Sequence, residues 1–130
     1  MKKWIIAIIL VLIAQSLWAD EWLKAYSDDE VTIFVYNEYK TSSDGYKIWT
    51  EWCFNSSKKV GEYSYKSYKD YSEYSKDFDR LRDLSTTYYD EKGKVVETYT
   101  PSYSNWSYIV PGSIGNAVAD FIIDMINYNL

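Results

Sequence analysis

Pro111-Gly112-Ser113-Ile114-Gly115-Asn116-Ala117-Val118-Ala119-Asp120-Phe121-Ile122-Ile123-Asp124-Met125-Ile126-Asn127-Tyr128 carries a period that the strand-like sequence upstream of it lacks. Ile114, Ala117, Val118, Phe121, Ile122, Met125 and Ile126 step by three and four, which lays one apolar stripe along an amphipathic helix. The spacing predicts that helix over about Ser113 to Tyr128, with Phe121 and Ile122 buried and Gly115, Asn116, Asp120, Asp124 and Asn127 on the wet face. Ser113 suits the N-cap, where its hydroxyl can accept from the N–H of Asn116.

Upstream, the period changes to two. Trp22 to Ser27 is a short strand candidate, and Val31 to Tyr39 alternates Val31, Ile33 and Val35 with Thr32, Phe34 and Tyr36. Thr41-Ser42-Ser43-Asp44-Gly45 is a turn cluster, and Tyr46 to Phe54 is the next strand, with Tyr46, Ile48, Thr50, Trp52 and Phe54 on one side. Asn55 to Gly61 is polar and is expected to be a loop. Tyr65, Tyr68, Tyr71 and Tyr74 recur every third residue, a period that belongs to neither strand nor α-helix. The expected structure there is a loop running into a strand that ends near Phe78. Arg80 to Asp90 is a further strand, Asp90-Glu91-Lys92-Gly93 a hairpin turn, and Lys94 to Thr100 its partner, stopped by Pro101. Antiparallel strands followed by one helix define an α+β domain: a twisted sheet of about five or six strands with the C-terminal helix packed on it.

The other end of the chain is an export signal. Met1-Lys2-Lys3 is a cationic start, Trp4 to Ala14 is uninterruptedly apolar, and Ala19 is a small residue before Asp20-Glu21. The expected division is a signal peptide over residues 1–19 and one domain over residues 20–130. Cleavage removes nineteen of the 130 residues, leaving 111, enough for one modest core. The expected product is periplasmic or secreted, or associated with the cell surface, without a stable membrane anchor.

Composition narrows the chemistry. The chain has 14 Lys and Arg against 19 Asp and Glu, a charge of −5 that becomes −7 without Lys2 and Lys3. That balance argues against nucleic acid as a partner. No histidine is present, so the commonest general base and metal ligand are both missing. Cys53 is the one cysteine and has no partner within the chain; its neighbours Trp49, Trp52 and Phe54 favour a buried thiol over an intermolecular disulfide. Gly112-Ser113-Ile114-Gly115 puts a glycine directly beside the serine, which fits a helix cap rather than a nucleophile elbow. Asp77, Asp79 and Asp83 lack calcium-loop spacing and have Arg80 and Arg82 among them. The reading therefore assigns no catalytic residue, no metal and no cofactor: the protein is not expected to be an enzyme.

Tyrosine is the positive signal. All 15 fall after the export signal, and five lie in the twelve residues Tyr63 to Tyr74, among serines and lysines. Such rings offer large, stiff, amphipathic contact area at low entropic cost. Tyr63, Tyr65, Tyr68, Tyr71 and Tyr74 are therefore candidate binding residues, with packing against the sheet as the alternative. Arg80 and Arg82 join them as carboxylate or anion forks, with pairing to Asp77, Asp79 or Asp83 as theirs. Trp106, between a proline-terminated strand and the helix start, is expected to pin its loop to the sheet.

Trp22, Ile48-Trp49, Tyr71 to Phe78 leading into Arg80-Leu81-Arg82, and Tyr88-Tyr89-Asp90-Glu91-Lys92-Gly93-Lys94-Val95-Val96 follow in an order that resembles the surface-adhesin protein E family. Trp106 followed by Ile109-Val110-Pro111-Gly112-Ser113-Ile114-Gly115 is the most specific element of that likeness. The resemblance implies a twisted antiparallel sheet with a packed helix, and a binding module for a protein partner such as host matrix or plasma proteins. Two features depart from it. Many relatives carry a cysteine near Phe78 and another at the helix end, and the namesake is a lipoprotein, whereas this chain has neither the cysteine pair nor a lipidation cysteine. A periplasmic structural or inhibitory domain acting on an envelope component is the alternative function.

Overall fold

The computed structural model describes residues 22–128; the expected export signal and its cleavage point lie outside the described residues. The strands are β1 (Trp22–Ser27), β2 (Val31–Thr41), β3 (Gly45–Val60), β4 (Tyr63–Ser75), β5 (Arg80–Tyr89), β6 (Val95–Tyr99) and β7 (Ser107–Tyr108), followed by the helix α1 (Ile114–Tyr128). The first six form an antiparallel meander in sequence order, and β7 pairs with the opposite end of β5 from β6. This is the α+β architecture expected from the two hydrophobic periods.

Alternation decides which face of the sheet is core. Val31, Ile33 and Val35 of β2 and Ile48 of β3 are buried, and Val118, Ala119, Ile122 and Met125 of α1 close over them. The Ser113 hydroxyl accepts from the Asn116 N–H at 3.1 Å and caps the helix as expected. The helix is rotated slightly from the expected stripe: Ala119 is buried, while Phe121 only flanks the core.

Two segments differ from their expected structure. Asn55 to Gly61 is not a loop, because β3 runs on to Val60 and β4 begins at Tyr63, so the two form a long hairpin. A bulge between Cys53 and Lys58 takes up the polar run. Ladder hydrogen bonds need a neighbouring strand rather than apolar side chains, and on a protruding hairpin the polar side chains simply face water. For the same reason Tyr63 to Ser75 is strand throughout, and it ends at Ser75 rather than near Phe78. Phe78 instead sits in the next turn at φ 55°, a left-handed conformation unusual for a bulky residue, with Tyr46 and Tyr74 stacked against it at 5.3 and 5.6 Å. Gly45 is fixed by space: a Cβ there would lie 1.8 Å from the carbonyl oxygen of Tyr74.

Candidate functional site: the open face of the sheet

A period of three on a strand, whose side chains alternate with period two, throws Tyr68, Tyr71 and Tyr74 onto alternate faces, whereas Tyr65 packs on the same side as Tyr68. Tyr68 and Tyr74 pair with Trp52 and Tyr46 on the helix side, whereas Tyr71 pairs with Trp49 on the face that α1 leaves open. Tyr74 is 4% exposed, and Tyr68 is stacked on Trp52 and packed against Phe54, Tyr65 and Tyr88. Burial raises the phenol pKa of both, so each remains a neutral hydroxyl. Tyr65 touches Phe54 and Tyr88 as well. Tyr63, at the tip of the hairpin, is 53% exposed.

The open face carries its own aromatic set. Trp22 on β1 meets Tyr36 on β2 edge-to-face at 5.1 Å, and Trp49 on β3 meets Tyr71 on β4 at 4.9 Å. Cross-strand register brings these pairs together: Trp22 lies opposite Tyr36 and Trp49 opposite Tyr71. Lys69, two residues before Tyr71, has its ammonium 5.5 Å from the ring of Trp22 on β1 and 5.4 Å from the ring of Tyr89 on β5. Glu51 approaches the same ammonium at 4.0 Å. Two adjoining hollows of about 690 and 350 Å³ result, sharing Tyr36 and Trp49 in their walls. The larger lies over the irregularity in β2 between Val35 and Tyr39 and takes in Asn37, Lys40 and Lys47.

Arg80 and Arg82 sit toward one end of this face. Arg82 donates from Nε to Glu73 Oε1 at 2.7 Å, and its Nη2 lies 3.6 Å from Asp44. Arg80 is 3.6 Å from Asp79. Only this last pairing was among the expected ones, because Glu73 and Asp44 reach Arg82 through β4 and the β2–β3 turn rather than along its own strand. Glu73 is 1% exposed. Burial raises its pKa, but the Ser42 hydroxyl, the Arg82 hydrogen bond and charge, and the Lys47 charge outweigh that and leave it lowered. Trp106 lies over both guanidiniums, at 4.4 Å from Arg82 and 5.7 Å from Arg80. The indole thus ties the loop before β7 to β5, as expected of it.

On the helix side Asp70 is 7% exposed and accepts from the Ser72 and Thr86 hydroxyls at 2.7 and 2.8 Å. Burial, and then the hydrogen bond and charge of the Asp83 carboxylate, push its pKa up to about 8 against those two donors. Cys53 is a half-buried free thiol, which burial first and the nearby Glu51 second push up to about 11. It is a poor nucleophile at neutral pH. Among the described residues, no group of three or more His, Cys, Asp or Glu is placed to hold a metal ion, and no helix is long and apolar enough to cross a membrane.

Sequence reasoning missed most of the open-face set. Trp22, Tyr36, Trp49, Lys69 and Tyr89 lie on five different strands, and their convergence depends on register. The alternation of β2 places Tyr36 opposite the Val31 face, which was the one legible clue. It also missed Tyr103 and Tyr108, exposed at 80% and 77%, well above any tyrosine of β4.

Compared with known families, residues 22–122 match the surface-adhesin protein E family, and the chain belongs to it. No curated protein and no solved structure matches the chain.

Proposed function

We propose that this protein is an exported, non-enzymatic binding module that engages a protein partner through the open face of its sheet. One observation carries the reading: α1 covers one face, whereas no described helix covers the other, on which four strands align Trp22, Tyr36, Trp49 and Tyr71 beside two hollows. Aromatic residues in such settings supply most of the energy of protein recognition. Tyr71 acts as a contact residue, whereas Tyr63, at the hairpin tip, lines a separate hollow with Tyr88 and Tyr99. Tyr65, Tyr68 and Tyr74 stiffen β4 from behind, and Arg80 and Arg82, held by Glu73 and Trp106, form the charged rim. The family resemblance directs the search for the partner to matrix and plasma proteins.

The test is a biosensor panel of immobilised matrix and plasma proteins, probed with the parent protein and with Trp49→Ala and Tyr71→Ala. Binding by the parent that weakens at least about tenfold in both variants, with thermal stability retained, supports the reading. Variants that bind like the parent contradict it.

A further inference from the structure

The linings of the two hollows are richer in cations than the molecule as a whole, although Glu51 and Glu73 stand beside them opposite Lys69 and Lys47. The two hollows are lined by Lys40, Lys47 and Lys69 against one carboxylate, Glu38, in a chain of net charge −5. Lys69 is the most constrained of the three. Its ammonium lies over the Trp22 and Tyr89 rings, and Glu51 stands at the outer limit of ion pairing. The rings hold the cation in place while Glu51 offsets part of its charge, so a partly compensated ammonium is presented at a fixed point among aromatic walls.

We infer that the open face is a docking trough for an extended, acidic peptide segment of the partner, with a carboxylate on Lys69, a second on Lys47, and apolar or proline side chains against Trp22, Trp49 and Tyr71. This deepens the proposal of a protein-binding face and rests on it. The combined volume matches a short segment of a few residues. Aromatic-lined grooves accept such chains because an extended backbone loses little freedom on docking. Attraction between the lysines and an acidic segment also favours encounter, in a molecule whose overall charge repels acidic proteins.

Calorimetric titration with two synthetic heptapeptides tests this. In one, glutamate alternates with phenylalanine and proline; in the other, lysine replaces glutamate; a heparin-derived hexasaccharide is the third probe. The glutamate peptide is expected to bind, and the lysine peptide to bind at least about tenfold more weakly. Lys69→Gln should weaken the glutamate peptide by about tenfold, the scale of one charge-assisted hydrogen bond, with Lys92→Gln in the β5–β6 turn without effect. Lys47→Gln gives the same comparison should Lys69→Gln fail to fold. Equal binding of the two peptides, binding of the hexasaccharide alone, or no binding of either peptide overturns the inference. Partner capture lost in Trp49→Ala but unchanged in Lys69→Gln removes the acidic-peptide assignment and keeps the open-face reading; capture unchanged in both removes both.

Discussion

Folding tightens the hold of Asp70 on its proton, because the carboxyl moves out of water and into the field of Asp83. In the unfolded chain an aspartate titrates near about 3.9. Between about pH 4 and pH 8 the native state therefore binds a proton that the unfolded state has released, and stability falls as pH rises through that window. Asp28 and Asp90, held low chiefly by backbone N–H groups, act in the opposite sense and only in acid. Urea midpoints at pH 5, 7 and 9 should decline for the parent, and the decline should shrink in Asp70→Asn; an identical decline in both would remove Asp70 as its source. Arg82 is the second residue whose loss is informative. Its removal leaves Glu73 buried with the Ser42 hydroxyl as its remaining donor, and Arg82→Ala should cost about 3–5 kcal/mol. Glu73→Gln in the same background should recover part of that loss in a double-mutant cycle, because the stranded charge is then gone.

At the scale of elements, α1 and the β5–β6 hairpin were legible because each has a local cause. Steps of three and four place the helix, and Asp90 accepting from the Lys92 and Lys94 N–H groups, with Gly93 at φ 82°, makes the turn. The β3–β4 hairpin was hidden because its outer half contains no apolar alternation; pairing between the two strands, not side-chain burial, maintains it. Tyr63 to Tyr74 shows why composition alone cannot divide a segment between two faces. The same tyrosine-rich run serves the packed face at Tyr74 and the open face at Tyr71, and only the strand period separates them. The rotation of α1 alters which substitution is most costly. Ile122, with no exposed surface, should lose about 2–5 kcal/mol on change to Ala, more than the half-buried Phe121 loses, as read by denaturant midpoints. A larger loss at Phe121 would mean that the helix packs in the expected register after all.

Over the whole molecule, the division of labour between the two faces organises the rest. One face spends its aliphatic residues on α1, and the other keeps tryptophan, tyrosine and lysine unsheathed by any described helix. Beyond Tyr71 and the placement of Tyr36, the candidate site was illegible in the sequence because Trp22 and Tyr89 are distant in the chain and meet only through Lys69 and the order of the strands. The exposed Tyr103 and Tyr108 offer a rival surface at the β7 end. Hydroxyl-radical footprinting of the protein alone and saturated with a partner recovered from the biosensor panel distinguishes the two surfaces directly. Protection of Trp22, Trp49 and Tyr71, with Tyr103, Tyr108 and Tyr128 still oxidised at their free rates, is the predicted result. Protection of Tyr103 and Tyr108 with Trp22 and Trp49 unchanged would contradict the assignment of binding to the open face.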